Sequence, residues 1–114
     1  MKIQVRPNHF EQPGQAFREI EEHGLHPMEM DVPAVKNESH WHAFSTRFYV
    51  LSGELNITDS ARKLTLKAGP GSLVEVPERV LHSEDSKTGY RIIAGLTVDP
   101  ATLSGPIDLD PDLL

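Results

Sequence analysis

The chain contains no cysteine, which excludes disulfides, thiolate metal ligands and cysteine nucleophiles. Any bound metal must therefore be held by histidine and oxygen donors. A basic excess is also missing: 11 Lys and Arg stand against 17 Asp and Glu, for a formal charge of −6, and the positive residues are scattered. That balance argues against a phosphate backbone as partner and excludes nucleic-acid binding from the expected functions. No run approaches the roughly 18 apolar residues of a membrane span. The first six residues alternate instead of forming the continuous apolar core of a secretory leader, so the expected location is the cytoplasm, with no membrane partner. What remains is a chain of 114 residues, 38% hydrophobic and 25% charged, which fits one globular domain with a modest core.

Patterning divides the chain in three. Residues 1 to 27 read as an N-terminal extension. In it, Ile3 and Val5 alternate with Lys2, Gln4 and Arg6 as a half-buried strand, an edge strand or one exchanged with a second copy. A short helix over 15 to 23 follows, with Phe17 and Ile20 on one face and Gly24 as its stop. Residues 28 to 98 are short apolar runs separated by turn residues, with strands expected at 28–32, 40–44, 47–52, 54–58, 62–67, 72–76, 80–84 and 89–97. Ser52-Gly53 supplies a position free to take positive φ, and Gly69-Pro70-Gly71 a sharp bend. Many short strands imply an all-β sandwich or barrel. Residues 99 to 114, with three prolines and four aspartates, read as a surface-hugging or partly mobile tail.

The chemistry concentrates in His40-Trp41-His42. On a strand, both imidazoles project to one side and Trp41 to the other, so two neutral imidazoles can share one divalent ion. His82, following the run Ser72 to Pro77, closes a three-nitrogen face if the two strands fold onto each other. Phe48 and Val50 follow Thr46 at even spacing and should line the interior, with Tyr49 on the opposite side. Glu84 lies two residues beyond His82 and shares its face on a continuing strand. It either supplies a carboxylate ligand or accepts a proton from substrate as a general base. Trp41 is expected to pack under the N-terminal helix or at a dimer contact. His9, His23 and His26 fall outside the site, His23 suiting a helix C-terminus and the other two the surface or loops. Arg47 is expected to be solvated, Arg91 to point outward, and Arg79, in a turn before His82, to lie within reach of the pocket mouth.

Residues 38 to 86 resemble the two motifs of the cupins, small β-barrels of jelly-roll type. In the first, G-x5-H-x-H-x(3,4)-E-x6-G, His40, His42 and Gly53 occupy their places, but Thr46 stands at the glutamate. In the second, G-x5-P-x-G-x2-H-x3-N, Gly71, Pro77 and His82 match, whereas Arg79 replaces the second glycine and Ser86 the asparagine. The resemblance covers roughly residues 28 to 98 and implies a jelly-roll barrel binding a divalent ion (Fe, Zn, Mn, Ni or Co) through His40, His42 and His82. Three-histidine sites in that family occur among Fe(II) thiol dioxygenases and diketone-cleaving enzymes. Without the glutamate, the full charge of the ion would favour an anionic or chelating ligand. Two functions follow as expectations. One is an Fe(II)-dependent dioxygenase, or a related metal-assisted enzyme, acting on a small organic acid or dicarbonyl. The other is a non-enzymatic module binding a small ligand or a structural or sensory metal. A homodimer is expected, with the strand at residues 2 to 6 pairing across the interface.

Overall fold

Side-chain alternation along the longest strands sorts the apolar residues into two cores, one between two sheets and one beneath a helix. The computed structural model describes residues 1–114. Its elements in chain order are β1 (Gln4–Arg6), α1 (Pro13–Glu22), β2 (His26–Val32), β3 (Val35–Lys36), β4 (Thr46–Gly53), β5 (Leu55–Asp59), β6 (Leu64–Ala68), β7 (Leu73–Val76), β8 (His82–Ser86) and β9 (Tyr90–Leu96). Two 3-10 turns follow, Pro100–Thr102 and Pro111–Leu113. The strands form a five-stranded sheet, β1-β7-β4-β9-β2, and a four-stranded one, β3-β8-β5-β6. All pairings are antiparallel. This is the expected all-β jelly roll with one short helix.

On β4, Phe48 and Val50 point between the sheets, where they meet Leu55 and Ile57 of β5, Val74 and Val76 of β7, and Ile92, Ala94 and Leu96 of β9. The intervening residues face the other way. Tyr49, Leu73 and Ile93 pack with Phe10, Ala16 and Ile20 under α1. Helix packing against β9 depends on Gly95, where an added Cβ would come within 2.9 Å of the Ile20 side chain. The helix starts with a proline in its first turn and ends at His23, before Gly24. Its buried face is Ala16 and Ile20, whereas Phe17 is 40% exposed. The expected Phe17–Ile20 face is therefore corrected to an i, i+4 pair, the tighter alignment on a 3.6-residue repeat.

Gly53 has φ +78, and a Cβ there would meet the Gly89 carbonyl at 2.0 Å. The β4–β5 turn thus requires glycine both for its backbone angle and for its contact. β1 pairs with β7 of the same chain, in the register Val5 to Val74, at the edge of the sheet. The segment 40–44 is not a continuous strand. Only His40 and Trp41 form bridges, to His82 and Leu109 respectively. The bridge to Leu109 ties the tail to the barrel: Leu109 donates to the Trp41 carbonyl at 2.9 Å, and the Trp41 indole donates to the Asp110 carbonyl at 2.8 Å. Trp41 accordingly packs against the C-terminal segment and not under the helix, the first of its two expected places. No helix is long and apolar enough to cross a membrane.

Candidate metal centre

The two bridges that replace a strand at 40–44 still deliver the expected histidines to one place. His40 and His82 exchange backbone hydrogen bonds of 2.8 and 2.9 Å, which sets their rings 4.5 Å apart between centroids. His42, two residues on, sits 5.2 Å from His40 and 5.0 Å from His82. One ring nitrogen of each lies within 4.8 Å of the others. His40 and His82 are buried, and His42 is nearly so and stacks on Phe44.

Each imidazole is held by its other nitrogen. Nδ1 of His40 faces the Glu38 carbonyl at 2.8 Å, Nδ1 of His42 the Ile107 carbonyl at 2.9 Å, and Nδ1 of His82 the Val80 carbonyl at 2.8 Å. A carbonyl only accepts, so all three Nδ1 atoms must carry hydrogen, and in the neutral form each lone pair is on Nε2. Fixing the tautomer through Nδ1 is how proteins prepare histidine for a metal. A set of three imidazole donors so oriented fits a divalent first-row ion such as Fe, Mn, Co, Ni or Zn.

Glu84 adjoins two of the three histidines. Its Oε1 lies 3.3 Å from Nε2 of both His40 and His82, while its Oε2 accepts from the Asn37 amide at 3.1 Å. Asn37 Oδ1 in turn accepts from the Glu84 backbone N–H at 2.6 Å. A carboxylate from β8 thus lies beside two of the three histidines, while Thr46 lines the adjoining chamber. A second carboxylate, Asp108, lies 3.7 Å from Nε2 of His40 and 3.6 Å from Nδ1 of His42. Sequence reading missed Asp108 because the tail has little periodicity. The available signal was an aspartate between two apolar residues, Ile107-Asp108-Leu109, the pattern of a short paired segment.

These contacts perturb ionisation. Burial opposes a charge on His40, but the Glu84 carboxylate and the Glu38 carbonyl outweigh it and push the imidazolium up to about 9. His42 moves down, first because it is buried and then because His82 and His40 are nearby, against the Ile107 carbonyl and Asp108. For Glu84, burial favours the protonated acid, yet hydrogen bonds from His40, His82 and Asn37 hold it well below the usual carboxylate range. Burial, then the charges of Glu84 and Asp108, raise the Tyr90 hydroxyl far above an ordinary phenol.

His42, His82 and Glu84 open onto a chamber of about 280 Å³ between the sheets. Its walls are mainly Met28, Met30, Phe48, Ile92, Ala94 and Leu96, with Tyr90, Thr46 and Asn37 as polar interruptions. No family profile and no curated protein matches the chain. Solved structures do. A DUF861 family protein from Thermotoga maritima superposes with a TM-score of 0.60 at 13% identity, over 83% of this chain and 99% of that one. A cupin-2 domain containing protein from Shewanella frigidimarina gives a TM-score of 0.52 at 23% identity, over 60% and 65%. An oxalate decarboxylase from Bacillus subtilis, studied for its Mn(II) centres, gives 0.58 at 21%, over 75% of this chain but only 23% of the decarboxylase. The chain has the cupin fold.

Within this fold, two motif departures acquire physical reasons. Arg79, at the motif's second glycine, has φ 64 and donates its N–H to the His42 carbonyl at 2.9 Å. The position requires a left-handed backbone, which is why glycine suits it. The Arg79 guanidinium lies 5.7 Å over the Trp41 ring and does not line the chamber. Arg47 is corrected. Far from solvated, it is 15% exposed and pairs with Glu19 at 3.2 Å. The same Glu19 carboxylate accepts from Tyr49 at 2.7 Å and sits 2.8 Å from His9. This network under α1 involves His9 in a structural role, while His26 is exposed at the start of β2 and His23 caps the helix through the Glu19 carbonyl. Arg91 points outward to Asp31.

Proposed function

We propose that this cupin is a metal-dependent enzyme of the dioxygenase type, or a related metal-assisted one, that transforms a small molecule held in the chamber. One observation carries the reading: three histidines with carbonyl-pinned Nδ1 atoms converge, and two of them, His42 and His82, line the wall of a mainly apolar cavity. A purely structural ion is enclosed by its ligands, whereas a catalytic one keeps a position open to substrate. His40, His42 and His82 would hold the ion, with Glu84 as fourth donor. Such an ion would supply Lewis acidity and, as iron, one-electron chemistry toward dioxygen. Asn37 holds the Glu84 carboxylate in place. Phe48, Ile92 and Leu96 exclude water from the reacting molecule, which strengthens every polar interaction inside.

The test is oxygen uptake by protein loaded separately with Fe²⁺ and Zn²⁺, against a panel of small dicarbonyl compounds and acids. Uptake confined to the Fe²⁺ form, and lost in His42→Ala, supports the reading. Equal turnover by metal-free protein contradicts it. A second reading, a non-enzymatic binding module, is favoured by the Glu84 bridge between His40 and His82, which satisfies the buried polar groups without an ion. Ligand binding with no conversion in any metal form would select it.

A further inference from the structure

The chamber discriminates by charge as well as by size. At about 280 Å³ it holds roughly nine water volumes, at the small end of ligand pockets. Its wall carries two carboxylates, Glu84 and Asp108, and no lysine or arginine. An ion at the three histidines would find its double charge already balanced by that pair. An incoming carboxylate would then meet a centre with no net positive charge left, flanked by two like charges, which disfavours it against a neutral ligand. The positions of Glu84 and Asp108 argue against the anionic ligand that Thr46 leads one to expect.

Two hydroxyls in this wall, those of Thr46 and Tyr90, are unused, and Tyr90 is the more deeply buried of the two residues. Tyr90 is 7% exposed, lines the chamber from the start of β9, and its hydroxyl makes no hydrogen bond within the chain. Every fully enclosed side-chain nitrogen or oxygen has a partner, so the unpartnered Tyr90 hydroxyl is not sealed off, and the residue lines the chamber. A phenol otherwise surrounded by apolar side chains and carboxylates is a donor awaiting an acceptor.

We infer that the natural ligand is an uncharged, mostly apolar carbonyl compound whose oxygen accepts a hydrogen bond from Tyr90, rather than a small organic acid. Met28, Met30, Phe48 and Ile92 take its apolar body. Tyr90 is a specificity-determining residue that no sequence motif marks. The inference deepens the proposed metal-dependent function, but its central contacts belong to the chain itself.

Acetophenone and benzoate share size and shape and differ in charge, so they serve as probes. Their affinities are measured by ligand-observed NMR on metal-free and Zn²⁺-loaded protein. Acetophenone is expected to bind at least about tenfold more tightly in both forms. Tyr90→Phe should weaken acetophenone about three- to tenfold with an unchanged circular dichroism spectrum. Asp108→Asn, at a side chain 56% exposed, should improve benzoate several-fold relative to acetophenone. Benzoate binding as tightly as acetophenone, or acetophenone binding indifferent to Tyr90→Phe, would overturn the inference. If the protein retains no Zn²⁺, the proposed metal function fails, while the acetophenone preference and its Tyr90 dependence in metal-free protein still decide this point.

Discussion

Replacing Glu84 by Gln should change the pH dependence of metal affinity more than its value at neutral pH. In the wild type the carboxylate bridges Nε2 of His40 and His82 at 3.3 Å and, against the effect of burial, pushes the His40 imidazolium up to about 9. A metal arriving at pH 7 must displace that proton. The two-unit gap corresponds to a factor of about 100, or about 3 kcal/mol. Wild-type log K should therefore rise with a slope of about 1 between pH 7 and pH 9, then flatten. Glu84→Gln removes a donor, an effect at least as large as the roughly 10- to 100-fold seen for partners one shell further out. It also lets His40 fall toward its ordinary 6.5, which removes the proton competition. The two effects offset each other at pH 7 and separate at pH 9, where only the lost donor remains. The assay is competition for Zn²⁺ against a chelator of known affinity at half-unit pH steps. Parallel wild-type and variant curves, or a wild-type affinity flat from pH 7 to 9, would refute the reasoning.

Two further predictions concern the framework. Glu19→Gln should destabilise the fold by about 1–2 kcal/mol at neutral pH, since it weakens the acceptor shared by Tyr49, Arg47 and His9. Burial would raise the Glu19 carboxyl, but these hydrogen bonds hold it down to about 2 from 4.5. Its contribution is thus complete above pH 4.5 and lost as the pH falls through 2; urea unfolding should show the wild-type advantage shrinking over that window and unchanged from pH 6 to 8. Trp41→Ala should cost about 3–5 kcal/mol, as expected for a buried aromatic. By freeing the C-terminal segment it should also loosen the Ile107 carbonyl from His42 and lower Zn²⁺ affinity about 10- to 100-fold. Thermal melts and the same competition assay report the two effects separately.

Much of the site was legible because its signals are local or periodic. His40 and His42 are two residues apart and His82 directly precedes Glu84's strand neighbours, so alternation alone places them on common faces. Phe48, Val50 and Tyr49 followed the same rule. What escaped was set by contacts distant in sequence. The C-terminal segment is ordered by hydrogen bonds to Trp41, 68 and 69 positions away, and no local pattern announces them. Arg47 reads as a surface cation until the helix brings Glu19 above it. Asp108 and the Tyr90 hydroxyl acquire meaning only once β9 and the tail share a cavity with the histidines. The departure at Thr46 illustrates the limit of motif reading: the motif records where along the chain a carboxylate usually comes from, whereas a metal responds only to where it lies in space.

The most direct test is the metal content of protein purified anaerobically without added metal, by elemental mass spectrometry, for the wild type and His42→Ala. The account predicts close to one divalent transition-metal ion per chain in the wild type and a loss of most of it in the variant, with the fold retained. A folded wild type that holds no metal even after reconstitution, or a His42→Ala variant that holds as much as the wild type, would contradict it.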